Sequence, residues 1–162
     1  MNKYLFLVVL FAMTYVYVQA QQPVLNTVLT GYYNVKDALV KSDSRAAAAA
    51  SGDLLKSITN IDMSAIPAKD HMVFMKLEDK LAYDARHISE SSDINHQREH
   101  FTSLSANMVT LAKQTHLSQQ PVYEDYCPMK KSYWLSSDTA IQNPYYGTTM
   151  PDCGKIAATL KP

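Results

Sequence analysis

A chain of 162 residues with 15 basic and 15 acidic side chains has a formal net charge of zero. That balance excludes nucleic acid and anionic membrane surfaces as its main partners, because both select a basic patch. With 47% hydrophobic residues and four glycines the chain has enough apolar material for one core, and it has neither a phosphate-cradling loop nor a G-x-S-x-G elbow, so nothing in it marks an enzyme.

Residues 1–20 read as a cleaved export signal. Lys3 supplies the positive start, an apolar run of about fifteen residues follows, and Val18-Gln19-Ala20 puts small residues at the cut. That run is short of the roughly twenty residues a membrane span needs. The expectation is therefore a periplasmic or secreted protein with no membrane span, folded as one domain of ordinary size.

Four amphipathic stretches follow over residues 21–118. Leu25, Val28, Leu29, Tyr32, Val35 and Leu39 recur at intervals of three and four, one apolar stripe along a first helix. Ser42, Asp43 and Ser44 offer capping oxygens before the alanine run 46–50, the strongest helix former available, and Leu54, Leu55 and Ile58 give that second helix its buried side. Residues 61–67 break the pattern as a connection. Phe74, Leu77, Leu81, Ala85 and Ile88 mark a third helix, residues 91–93 stop it and cap the next, and Ile94, Phe101, Leu104, Met108 and Leu111 mark a fourth. Short connections and these spacings predict a mainly α protein, an up-down four-helix bundle.

From residue 119 to residue 162 the character changes. Pro121, Pro128, Pro144 and Pro151 punctuate a segment rich in tyrosine that also holds the single tryptophan, Trp134. Only residues 122–126 and 133–135 look like strands. Too aromatic to be a disordered end, this irregular tail with short strands is expected to fold back on one end of the bundle within the same domain.

Both cysteines of the chain, Cys127 and Cys153, lie in that tail. In an oxidising compartment such a pair is read first as a disulfide, here closing a loop of about 25 residues and worth roughly 3 kcal/mol in the chain-entropy model. A second reading rests on their neighbours. Met129 follows Cys127 at i+2 and Met150 precedes Cys153 by three, so thiolates and thioethers together offer four soft donors, a set that suits Cu(I) rather than Zn(II). Among the histidines, His96 and His100 stand one helical turn apart, as do His71 and Met75. His100 borders the apolar face through Phe101 and Leu104, which makes it a candidate nitrogen donor. Asp79, Asp84 and Glu99 show no carboxylate partner and read as solvated helix faces.

The blocks GYYNVKDALVKSD (residues 31–43), QREHFTSLS (97–105), YCPM, YWLS, NPYYG and MPDCG, in this order, resemble a family of exported bacterial domains of unknown function, the DUF3347 type. Such domains occur alone or fused to periplasmic adaptors of heavy-metal efflux systems. YCPM is also similar to the Y-x-C-P-M-H-P segment of small heavy-metal-binding domains, with Lys130 in the place of its histidine. What the resemblance implies is a helical, copper-linked periplasmic module whose ligands map onto His100, Cys127, Met129, Met150 and Cys153. The expected function is a Cu(I) or Ag(I) carrier, buffer or efflux accessory, with a soft metal ion and an efflux adaptor or other envelope protein as partners. The alternative is a disulfide-stapled interaction module without metal.

Overall fold

In the computed structural model, which describes residues 23–161, the four stripes form four helices: α1 (Asn26–Val40), α2 (Ser44–Thr59), α3 (Ala68–Glu90) and α4 (Ile94–Gln114). The export signal expected over residues 1–20 lies outside the described residues. Each helix packs on the next in sequence, the up-down order that short connections impose. All the stripe residues are buried except Leu55 and Ile94, which pack partly buried against the same core. Two of the capping oxygens act as read: Asp43 accepts from the Ala46 N–H and Asp93 from the Asn95 N–H, both at 2.9 Å. Among the described residues no helix is long and apolar enough to cross a membrane.

The tail forms a three-stranded antiparallel sheet of β1 (Val122–Cys127), β2 (Ser132–Ser136) and β3 (Lys155–Leu160), in the order β2-β1-β3. Sequence reading finds the first two strands and misses β3. The reason is physical: Lys155, Ile156, Ala157 and Thr159 are exposed, so no buried face imposes an apolar alternation, and the strand exists through backbone pairing to β1. A register shift between Glu124 and Asp125 interrupts that pairing. Such a bulge re-aims side chains, and here two consecutive acidic residues are buried, Glu124 at 3% and Asp125 at 0% exposure.

Strand β2 lies against α4, with Trp134 and Leu135 fully buried. Tyr32 of α1 holds the junction. Its ring stacks on Phe101 of α4 at 5.2 Å, and its hydroxyl meets Ser105 Oγ at 2.7 Å while accepting the Leu135 N–H at 3.2 Å. Arg98 makes a second clamp: Nε donates to the Pro144 carbonyl, and Nη2 donates to the Leu39 carbonyl and to Ser42 Oγ. Gly147 sits beside this clamp at φ +53°, where an added Cβ would collide with the Arg98 guanidinium and Ser42 Oγ, so the position admits glycine alone.

Glu124 is neutralised by Lys113 Nζ at 2.7 Å, whereas neither carboxylate oxygen of Asp125 has a hydrogen-bond partner. Burial pushes the Asp125 carboxyl up to about 7, and the nearby Lys36 ammonium lowers it only in part. An acid raised in the folded state holds its proton there after the unfolded chain has lost it, so its stabilising contribution is complete below about 4 and is lost as pH rises towards 7. Asp125→Asn removes this titration. Chemical denaturation is expected to find the variant more stable than the parent at pH 8 and equal to it near pH 4; a difference independent of pH would contradict the assignment.

Candidate metal centre

Cys127 ends β1, and the chain turns at once through Pro128 and Met129 into β2. Lys131 takes a positive φ of 56° in this turn, and the Lys130 backbone N–H donates to Cys127 Sγ at 3.4 Å. A second donor comes from the far side of the loop: Asn143 Nδ2 reaches Cys127 Sγ at 3.2 Å and also donates to the Cys153 carbonyl. Asn143 is itself fixed. Its Oδ1 accepts from the Tyr145 N–H at 2.8 Å and the Tyr146 N–H at 3.2 Å, its N–H donates to the Pro151 carbonyl, and it is fully buried. An asparagine that bonds the backbone two and three residues on, with proline next, is a turn former, and this turn returns the chain to the first cysteine.

Both cysteines are free thiols. Cys127 is buried and Cys153 half-buried, and Asn143 Nδ2 spans the two residues, bonding to the sulfur of the first and the carbonyl of the second. The Cys153 thiol is pushed up, first by burial and then by its electrostatic interaction with Cys127, with Asp152 adding to the effect. The raised thiol of Cys153 favours its protonated form. Trp134 lies against the turn that follows Cys153. An added Cβ on Gly154 would come within 2.7 Å of its indole and 3.1 Å of the Tyr126 carbonyl, which sets how closely the Cys153 turn seats on the sheet.

Of the residues expected at the centre, the structure brings Cys127 and Cys153 together. Met150 stands in the turn that closes on Cys153, whose N–H donates to the Met150 carbonyl at 3.4 Å, and Met129 is 63% exposed at the hairpin tip. His100 faces the α3–α4 hairpin instead: its Nδ1 lies 2.9 Å from Asp84 Oδ1, and its ring stacks on His87 at 4.5 Å with His96 edge-on at 4.7 Å. Sequence reading overlooks Asn143 and His87, and its reading of Asp84 as part of a solvated helix face is overturned, because the carboxylate is buried against His100. Asn143 has a signal, an Asn-Pro pair between two cysteines. Asp84 and His87 have another: they stand at i and i+3 near the end of α3, while His96 and His100 stand at i and i+4 at the start of α4, so a hairpin closed by residues 91–93 must juxtapose them.

A family model described as "Protein of unknown function (DUF3347)" matches residues 28–120, more than half of the chain and all of its four helices but the first two residues of α1. The match includes Asp84, His87, His96 and His100 and stops before β1, so it does not extend to the cysteines. Neither the curated proteins nor the solved structures contain a match.

Asn143→Ala leaves the Tyr145 and Tyr146 amides and the Cys153 carbonyl without their partner inside the fold. A loss of about 2–4 kcal/mol is expected in urea denaturation, with faster alkylation of the thiols of the reduced protein; a loss under about 0.5 kcal/mol with unchanged alkylation would contradict this role.

Proposed function

We propose that this chain, which belongs to the DUF3347 family, is an exported domain that binds a soft metal ion, Cu(I) or Ag(I), through Cys127 and Cys153. The observation that carries the reading is a pair of unbonded cysteines joined through one asparagine amide, one of them receiving two N–H donors at its sulfur. Thiolate is the donor that selects Cu(I), and Met150 in the adjoining turn adds a thioether within the same loop. The metal replaces the thiol protons of Cys127 and Cys153, forms an S–metal bond to each sulfur and releases the displaced H⁺ to solvent. Because the Cys153 thiol is pushed up, affinity rises with pH.

Asn143 and the Lys130 amide orient Cys127 before the ion arrives, as outer partners of a ligand do. In this role the domain is a carrier, buffer or accessory that delivers its ion to an envelope partner such as an efflux adaptor. Export rests on residues 1–20 and the adaptor on the sequence resemblance. A second reading draws on the same pair of cysteines: in an oxidising compartment they join as a disulfide, and the domain is a stapled interaction module.

Titration of the reduced protein with Cu(I) against a chromogenic chelator decides between them. One ion bound per chain, with affinity lowered at least a hundredfold by Cys127→Ser or Cys153→Ser and with H⁺ released on binding, is the expected result. Unchanged affinity in the Cys127→Ser/Cys153→Ser double variant would overturn the soft-metal reading. Absence of titratable thiols in protein prepared without reductant, with a lower Tm after reduction, would establish the staple.

A further inference from the structure

We infer that His87, His96 and His100 form a second metal site, chemically distinct from the thiols, that takes a divalent ion of borderline character. One imidazole nitrogen from each lies within 4.8 Å of the others, and all three rings are half-buried. Among the described residues this is the one such group of His, Cys or carboxylate donors. Three nitrogens about 2.0–2.1 Å from a tetrahedral ion stand about 3.4 Å apart. Closing that gap asks for side-chain rotation alone, since His87 is on the last turn of α3 and His96 and His100 are on the first two turns of α4.

Asp84 supplies the second, independent observation. Its carboxylate is buried, with 6% of the side chain exposed, and lies 2.9 Å from His100 Nδ1. A proton on Nδ1 held by a carboxylate fixes the tautomer and leaves Nε2 as the free donor, the arrangement found behind metal-bound histidine. Asp84 is thus a positioning residue and the three imidazoles are the ligands. The ends of the two helix dipoles oppose each other here, the C-terminus of α3 beside the N-terminus of α4, which leaves Asp84 as the fixed charge facing the site.

Imidazole donors without sulfur suit Zn(II), Cu(II), Ni(II) and Co(II). Three protein ligands leave a fourth position open for water or a group from outside, unlike a closed structural site. Binding also has a geometric consequence. The His87 and His100 rings are nearly parallel, 10° apart, and a metal takes the lone pair in the plane of each ring, so the His87 ring must leave its stack on His100.

Co(II) alone is the probe, added to the full chain and to the Cys127→Ser/Cys153→Ser variant while visible absorption and circular dichroism are recorded. Both proteins are expected to bind one ion with d–d bands and no thiolate charge-transfer band. His87→Ala should lower affinity at least tenfold, and Asp84→Asn about 10–100-fold, each with the helical signal retained. Proton resonances of the His87 ring should shift on binding of diamagnetic Zn(II) to the Cys127→Ser/Cys153→Ser variant. Loss of the Co(II) bands in that variant, or undiminished affinity after His87→Ala, would overturn the site. Neither outcome bears on Cu(I) binding by the thiols.

Discussion

The Tyr32 hydroxyl is the point where three parts of the molecule are joined. It belongs to α1, meets Ser105 of α4 and receives the backbone N–H of Leu135 in β2, so the sheet cannot move from the bundle without leaving a buried donor unpaired. The magnitudes divide the labour. Burial of Trp134, Leu135 and Val122 contributes about 1.5–3 kcal/mol for each large side chain and drives the sheet onto the helices. A net hydrogen bond contributes only about 1 kcal/mol, but the cost of an unmet partner decides where along α4 the sheet comes to rest. Arg98 fixes the second coordinate by tying the Pro144 carbonyl to the end of α1.

That placement is what makes the tail a site rather than an appendage. Asn143 is oriented by amides of Tyr145 and Tyr146, Tyr145 packs between Phe101 and Trp134, and Gly147 closes against Arg98 and Ser42. Each step from helix to sulfur is a contact of a buried group, and the chain of contacts ends with one amide that bonds to Cys127 Sγ and to the Cys153 carbonyl. The two candidate donor sets differ accordingly. The thiols depend on the docked tail, whereas the imidazoles depend only on the α3–α4 hairpin, which lies inside the segment the family model covers.

How much of this was legible follows from what each feature uses to exist. The helices use apolar periodicity, which is local, and every stripe residue but Leu55 and Ile94 is buried, while buried polar positions such as Ser51, Asp84, Gln97 and Ser105 leave no such trace. Strand β3 uses backbone pairing and leaves no periodic trace. The cysteines announce themselves by rarity, but their adjacency depends on the Asn143 turn. His100 illustrates the limit most clearly: its neighbours Phe101 and Leu104 enter the core, while its own ring turns towards Asp84 and His87 of α3 rather than towards the tail. Blocks that stand apart in the sequence also meet in space, since Ser42 from the first, Arg98 from the second and Pro144 from NPYYG form one clamp.

Amide hydrogen exchange, resolved residue by residue on the reduced protein, tests most directly whether sheet and helices form one cooperative unit. The Leu135 and Asp125 amides are predicted to open with the same free energy as the most protected amides of α1 and α4, through global unfolding. A separate, lower-energy opening of β1 and β2 while the helices remain protected would contradict the docking on which the thiol centre depends.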